Sequence, residues 1–254
     1  MLYGPLDADL LLRLQQQSVH FRFVTGRHVM PTRKYSLLYV EDDSLWQSAV
    51  ALALKGMPEI ASITTARDAT SALASAEMSH PDIVLLDLVL PDMDGLALAL
   101  KLAQMRQAPR IIVLSARRDS VILNAASQPH ISGLIWKSAH TFSELSRAIT
   151  HAVRGEKYYP EEVRAALRRF RADPIAFFKI LSARELELLP LVGGGRSDEE
   201  IATLLGLSAH TVRSHRQHIM RKLGLPTAAR LVHWAILQGF VPSLAVREDE
   251  DAYG

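Results

Sequence analysis

The sequence predicts two domains of different class: an α/β doubly wound domain on a five-stranded parallel sheet, followed by an all-α domain that carries a helix-turn-helix. Two observations lead to this. Residues 36–155 alternate short apolar runs with helix-like stretches, the pattern of a repeated strand-helix unit. Residues 182–242 show no strand periodicity and contain two serines, Ser182 and Ser197, each followed three positions later by glutamate, Glu185 and Glu200. That spacing opens a helix, because the serine oxygen accepts from the backbone N–H three residues on while the glutamate reaches back to the serine N–H.

The strands are read from the apolar runs SLLYV, EIASIT, DIVLL, RIIVL and SGLIW. The helix after the fifth run begins with Thr141 and Glu144 in the same capping-box spacing and places Phe142, Leu145, Ala148, Ile149 and Ala152 on one face before closing near Gly155. Residues 156–181 are arginine-rich with prolines at 160 and 174, which predicts a short linker helix between the domains. Residues 1–35 precede the first strand without clear periodicity, and Met30 opens MPTRKYSLLYVEDD, so they are read as an N-terminal extension or a misassigned start. The tail 243–254 ends in REDEDAYG and is expected to be disordered and acidic.

Composition narrows the function classes. At 48% hydrophobic and 22% charged residues, the 254-residue chain is ordinary for a globular protein. No stretch approaches the ~18 uninterrupted apolar residues of a membrane span. Asp7, Asp9 and Arg13 leave no signal-peptide core near the start, so a cytoplasmic protein without membrane attachment is expected. With no cysteine, disulfides, thiolate zinc sites and cysteine nucleophiles are excluded. The net charge of +2 conceals an asymmetry: residues 36–155 carry ten Lys/Arg against twelve Asp/Glu, whereas 208–230 carry five Lys/Arg and no acid. Locally concentrated positive charge is the usual footprint of a nucleic-acid contact.

In a doubly wound sheet the functional crevice lies beyond the carboxyl ends of the strands. Glu41, Asp42 and Asp43 follow the first strand, Asp87 the third, Ser115 the fourth and Lys137 the fifth. Crowded carboxylates repel one another, and a hard divalent cation with oxygen ligands, magnesium being the natural choice, relieves that repulsion. Such a pocket suits an incoming phosphoryl group, with Asp87 as nucleophile and Ser115 and Lys137 holding the equatorial oxygens. Asp92 and Asp94 imitate the DxDG of haloacid-dehalogenase phosphatases, but Pro91 separates them from the strand end, which Asp87 already occupies.

The elements VEDD, PDIVLLDLVLPDMDG, VLSA and the lysine after the fifth strand, in that order and spacing, resemble the flavodoxin-like receiver domain of two-component response regulators over essentially all of residues 36–155. The resemblance implies that Asp87 accepts a phosphoryl group from a sensor histidine kinase. It also implies that Glu41 and Asp42 are the metal pair with Asp87, that the Val89 carbonyl is a further Mg2+ ligand, and that Ser115 and Lys137 sense the phosphoryl group. One position departs from the family pattern. Leu134 stands where an aromatic switch residue is usual, which predicts looser coupling and a gain from Leu134→Tyr.

In the second domain a helix from about Asp198 to Leu205, a turn at Gly206 and a helix capped by Ser208 form the helix-turn-helix. Ile201, Leu204, Leu205, Val212, Ile219 and Leu223 are its predicted core, leaving Arg213, Ser214, Arg216 and Gln217 open to a partner. Such a helix suits phosphate attraction and base-edge hydrogen bonding in a major groove. The predicted DNA-facing residues are Thr211, Arg213, Ser214, His215 and Gln217, with Arg221 and Lys222 meeting phosphates. His210, His215 and His218 are not read as a metal site, since no cysteine or carboxylate completes one. The stretch LSARELELL through LVHWAILQGFV resembles the LuxR-type DNA-binding domain of NarL/FixJ regulators, which implies double-stranded DNA as partner, a homodimer on it, Glu185 as a structural acid and Leu231–Leu237 as part of a pairing helix. Together these imply a transcription factor rather than an enzyme, whose DNA binding responds to phosphorylation. The alternative is a phosphorylation-independent DNA-binding regulator whose first domain dimerises or docks partners.

Overall fold

The computed structural model describes residues 33–138, 141–173 and 176–241. The N-terminal extension up to residue 32 and the tail from 242 onward lie outside the described residues.

Five strands, β1 (Tyr35–Val40), β2 (Ile60–Ala66), β3 (Ile83–Asp87), β4 (Arg110–Ser115) and β5 (Ile131–Trp136), form one parallel sheet in the order β2-β1-β3-β4-β5. All five predicted strands are present within a residue or two of the apolar runs. The central strand β3 is buried along its whole length, as an apolar strand covered on both faces must be, while the edge strand β2 exposes Thr64 and Thr65.

Helices α1 (Ser44–Leu54) and α5 (Thr141–Val153) cover one face, where Val50, Leu54, Leu145 and Ile149 pack on Leu37, Tyr39, Leu85 and Leu114. Helices α2 (Ala69–Ser79), α3 (Gly95–Ala103) and α4 (Ser120–Ala126) cover the other. The chain reverses its direction of strand addition between β1 and β3, which opens a crevice at their carboxyl ends.

Aspartates start the helices: Asp43, Asp68, Asp94 and Asp119 each accept backbone N–H bonds at the N-terminus of α1, α2, α3 and α4. Asp43 is therefore a cap, and only two of the three acids after β1 remain for the crevice. The capping box expected at Thr141 does not form. Thr141 lies inside α5, its hydroxyl donates to the Ser138 carbonyl at 2.7 Å, and Glu144 accepts instead from Tyr158 at 2.6 Å.

The segment after α5 does not behave as a free spacer. Tyr158 bridges to Gly133 at the edge of β5, and Tyr159 donates to the Ala126 carbonyl at 2.6 Å. Helix α6 (Glu161–Ala172) buries Val163, Leu167 and Phe170 in the core shared with α4, and the short α7 (Phe177–Ile180) adds Phe177.

The helical domain consists of α8 (Ala183–Gly193), α9 (Asp198–Leu205), α10 (Ala209–Leu223) and α11 (Ala228–Gln238). Both predicted capping boxes, Ser182 with Glu185 and Ser197 with Glu200, are present in both directions. Ile201, Val212 and Ile219 are buried as expected, whereas Leu204 is 58% exposed. Gly206, at φ 64, ends α9 in the left-handed conformation, and Ser208 caps α10 two residues later.

Candidate functional site

The crevice gathers side chains from three strand ends. The Lys137 ammonium donates to both Glu41 oxygens, at 3.0 and 2.9 Å, and to Asp87 Oδ2 at 3.0 Å. Tyr39, two residues before Glu41, donates its hydroxyl to Glu41 Oε2 at 2.7 Å, and Leu88 N–H donates to Asp87 Oδ1 at 2.7 Å. The Trp46 ring, stacked on Phe142, lies 5.5 Å from the Lys137 nitrogen. The side chain of Lys137 is only 9% exposed and Glu41 1%, so these charges interact with little screening.

Burial and the neighbouring charges set the ionisation of the group. Burial, then the Asp87 carboxylate, pushes the Glu41 carboxyl up to about 7 against the opposing pull of Lys137 and Tyr39. Burial works against the Lys137 ammonium, but Asp87 and Glu41 outweigh it and its pKa rises. Burial followed by the Glu41 charge holds the Tyr39 phenol far above its ordinary value, so it is a neutral donor. One ammonium faces carboxylates from Glu41, Asp42 and Asp87 whose ligating oxygens all lie within 4.8 Å of one another. An all-oxygen donor set of three clustered carboxylates fits a hard divalent cation.

Gly95 completes the wall: a Cβ there would come within 2.5 Å of Leu88 Cα and 2.7 Å of the Asp87 carbonyl oxygen. The N-terminus of α3 can therefore approach the strand end only as glycine. Val89 forms an isolated antiparallel bridge with Asp94. Ser115 is buried at the end of β4, where its hydroxyl accepts from Arg117 N–H at 3.0 Å.

On the helical domain, α10 presents Arg213, Gln217 and His218 to solvent, with Thr211, Ser214 and His215 half-buried beside them. Two residues depart from expectation. Arg216, read as open to a partner, has a side chain only 13% exposed: it pairs with Asp198 at 2.7 Å and donates to the Arg196 carbonyl at 2.6 Å. Lys222, expected to meet phosphate, donates instead to the buried Glu185 carboxylate at 2.6 Å. Among the described residues the group of acids or histidines close enough to share one ion is Glu41, Asp42 and Asp87.

Comparison with known proteins decides the family. Residues 37–150 match the model "Response regulator receiver domain", and residues 179–235 match "Bacterial regulatory proteins, luxR family". The chain is 30% identical over 209 residues to the oxygen regulatory protein NreC of Staphylococcus aureus (strain JH9), covering 79% of this chain and 96% of that protein. It belongs to the response regulators with a LuxR-type output domain. Solved structures share the fold. RcsB of Salmonella enterica serovar Typhimurium, bound to promoter P1flhDC in the presence of the phosphomimetic BeF3-, aligns with TM-score 0.57 at 23% identity over 81% of this chain and 99% of that one. A two-component response regulator RcsB-DNA complex aligns with TM-score 0.56 at 23% identity over 82% and 100%.

The DxDG likeness of this regulator has a structural explanation. Asp92 accepts from the Ala69 and Thr70 N–H groups, and Asp94 caps α3 through Leu96 and Ala97 N–H. Both acids thus hold helix N-termini. Among the described residues no helix is long and apolar enough to cross a membrane.

Sequence reasoning missed Tyr39, although its period-2 spacing from Glu41 puts both on one face of the chain. It also missed Asp198, which pairs with Arg213 at 3.3 Å as well as with Arg216, and Arg117, whose guanidinium spans Asp119 and the Gly239 carbonyl of the other domain. No local spacing announces contacts of that sequence separation.

The Glu185–Lys222 pair ties α8 to α10 and gives a signed pH prediction. Burial opposes ionisation of Glu185, but Lys222 and the Ser182 N–H and hydroxyl outweigh it and hold the carboxyl below its usual range. A lowered folded-state pKa contributes stability above the unfolded value that is lost as pH falls through the folded one. The helical domain of wild type should therefore lose stability on acidification below about pH 4.5, and Glu185→Gln should flatten that limb while costing about 2 kcal/mol at neutral pH. Thermal melts across pH 2.5–7 check this; an unchanged acid limb in the variant contradicts it.

Proposed function

We propose that this regulator accepts a phosphoryl group on Asp87 from a sensor histidine kinase, and that the modified receiver, residues 36–155, adjusts how residues 182–242 bind double-stranded DNA as a homodimer in the cytoplasm. The observation that carries this is the Lys137 ammonium bridging Glu41 and Asp87 inside a three-carboxylate cluster at the sheet's reversal point.

In the transfer an Asp87 carboxylate oxygen attacks phosphorus while the P–N bond of the donor phosphohistidine breaks. The imidazole leaves with the electron pair and takes up a proton, and Asp87 becomes an acyl phosphate. Glu41, Asp42, Asp87 and the Val89 carbonyl would hold Mg2+, whose charge would offset that of the arriving phosphoryl oxygens. Lys137, already within reach of Asp87, is placed to pair with one of those oxygens, and the Ser115 hydroxyl can donate to another while still accepting from Arg117.

For DNA, Arg213 and Gln217 lie one helical turn apart on α10 and address base edges, with Thr211, Ser214 and His215 alongside. Arg221 meets phosphate. Lys222 contributes less than Arg221, because a phosphate contact would have to compete with Glu185.

Label transfer from a radioactive small acyl-phosphate donor, with and without magnesium, tests the receiver reading. Magnesium-dependent label that is stable to acid and labile to base supports an acyl phosphate, and its absence overturns the reading. On the DNA side, Gln217→Ala should weaken binding to a selected duplex by about 1–3 kcal/mol and relax preference at one position. Binding-site selection from a random duplex pool checks this; an unaltered preference would remove Gln217 from the base-reading set.

A further inference from the structure

Position 134 and position 136 lie on the same face of β5, but only one of them adjoins Ser115. The β4–β5 register pairs Val113 with Leu134 and Ser115 with Trp136. Leu134 is fully buried in the sheet core, one pleat away from the crevice, whereas Trp136 is the register partner of Ser115 and packs in the core beneath α2, α3 and α4.

Trp136 is only 5% exposed, and its indole nitrogen is buried without a hydrogen-bond partner among the described residues. A buried donor without an acceptor is costly, and it favours any alternative arrangement that supplies one. The Arg118 guanidinium covers the ring at 4.6 Å from its centroid. Arg118 belongs to the short loop from Ser115 to Asp119. In that loop Arg117 N–H donates to the Ser115 hydroxyl at 3.0 Å, and the Arg117 guanidinium joins Asp119 at 2.8 Å to the Gly239 carbonyl at 2.5 Å. Gly239 ends α11 at φ 90, and a Cβ there would overlap the Asp119 carboxylate and the Arg117 guanidinium, so the loop and the helix end are in close contact.

We infer that Trp136 and Arg118, rather than residue 134, are the positioning residues that couple Ser115 to the DNA-binding domain. This rests on the reading of Asp87 as phosphoryl acceptor. When Ser115 donates to a phosphoryl oxygen it keeps a lone pair for Arg117 N–H, so its displacement carries the loop with it. Arg118 then leaves the indole face, the Trp136 N–H gains an acceptor, and Arg117 withdraws from Gly239, freeing the end of α11. Two packed arrangements of one loop provide the bistable element that a switch requires.

The test uses the full-length, 15N-labelled protein. The indole N–H resonances of its three tryptophans are assigned by Trp→Phe variants and followed on adding beryllofluoride with magnesium. Trp46, beside Lys137, reports occupancy of the crevice. The expected result is a shift of both Trp46 and Trp136, with Trp136 moving downfield as its N–H acquires an acceptor. Arg118 is not part of the acceptor site, so Arg118→Ala should take up label normally. Its beryllofluoride-dependent change in DNA affinity should drop from about tenfold in wild type, a usual size for coupled sites, to less than about twofold. Arg118→Lys should recover part of it, and Leu134→Tyr should leave it unchanged. A Trp136 resonance that stays still while Trp46 moves, an undiminished response in Arg118→Ala, or a widened response in Leu134→Tyr overturns the inference. If Trp46 and Trp136 both stay still and no label is taken up, the phosphoryl-acceptor reading itself falls.

Discussion

Asp87→Asn should take up no label from an acyl-phosphate donor while folding as the wild type does. The substitution is close to isosteric. The side-chain oxygen can still accept from Leu88 N–H, which now meets Asp87 Oδ1 at 2.7 Å, and Lys137 keeps both of its bonds to Glu41. What disappears is the anionic oxygen that would attack phosphorus, and an amide does not replace it as a nucleophile. Removing one member of a crowded acidic group also relieves repulsion, so stability should change by less than about 1 kcal/mol. Quantified label together with a thermal melt decides the matter. Full labelling of the folded variant would move the acceptor elsewhere, and the cluster around Lys137 would lose its proposed role.

The second large effect is expected from Glu41→Gln combined with Asp42→Asn. These two side chains supply two of the three carboxylates that lie within ligand reach of one another. Without them Asp87 is the one carboxylate left of the three, and Lys137 already donates to it. Magnesium affinity, followed through the fluorescence of Trp46 beside Lys137, should fall by at least about 100-fold, since hard cations depend on carboxylate count. Label transfer should become undetectable and insensitive to magnesium. The metal-free variant should melt higher than metal-free wild type, because burial and Asp87 both disfavour the charge on Glu41. Ordinary magnesium-dependent transfer in the double variant would contradict the ligand assignment.

The sheet and its rim were legible because two periodicities and one topological rule carry them. The apolar runs marked the five strands, and reading the residue after each strand brought Glu41, Asp42, Asp87, Ser115 and Lys137 to one end of the sheet. The capping boxes at Ser182 and Ser197 were legible for the same reason: both partners lie within one helical turn.

What failed to show is long-range pairing. Periodicity states which face a side chain occupies, not which group waits there. Arg216 and Lys222 were assigned to the partner-facing surface of α10, yet Asp198 and Glu185 hold them, 18 and 37 residues away in sequence. Thr141 and Glu144 satisfied the capping-box spacing, but Ser138 and Tyr158 offered better partners. Residues 156–181 read as a linker helix because of their arginines and the prolines at 160 and 174, whereas Tyr158, Tyr159 and Phe170 bind the first part of that stretch to the first domain.

Whether the state of Asp87 changes DNA binding is answered directly by one titration. A duplex obtained by selection is titrated with full-length wild type and with Asp87→Asn, each with and without beryllofluoride and magnesium, at two salt concentrations. The account predicts that wild-type affinity changes by about tenfold on adding the phosphoryl mimic, that Asp87→Asn shows no change, and that both proteins lose affinity as salt rises. Equal affinity of wild type with and without the mimic, at full occupancy of Asp87, would contradict it and leave a DNA-binding protein whose receiver serves only for docking or dimerisation.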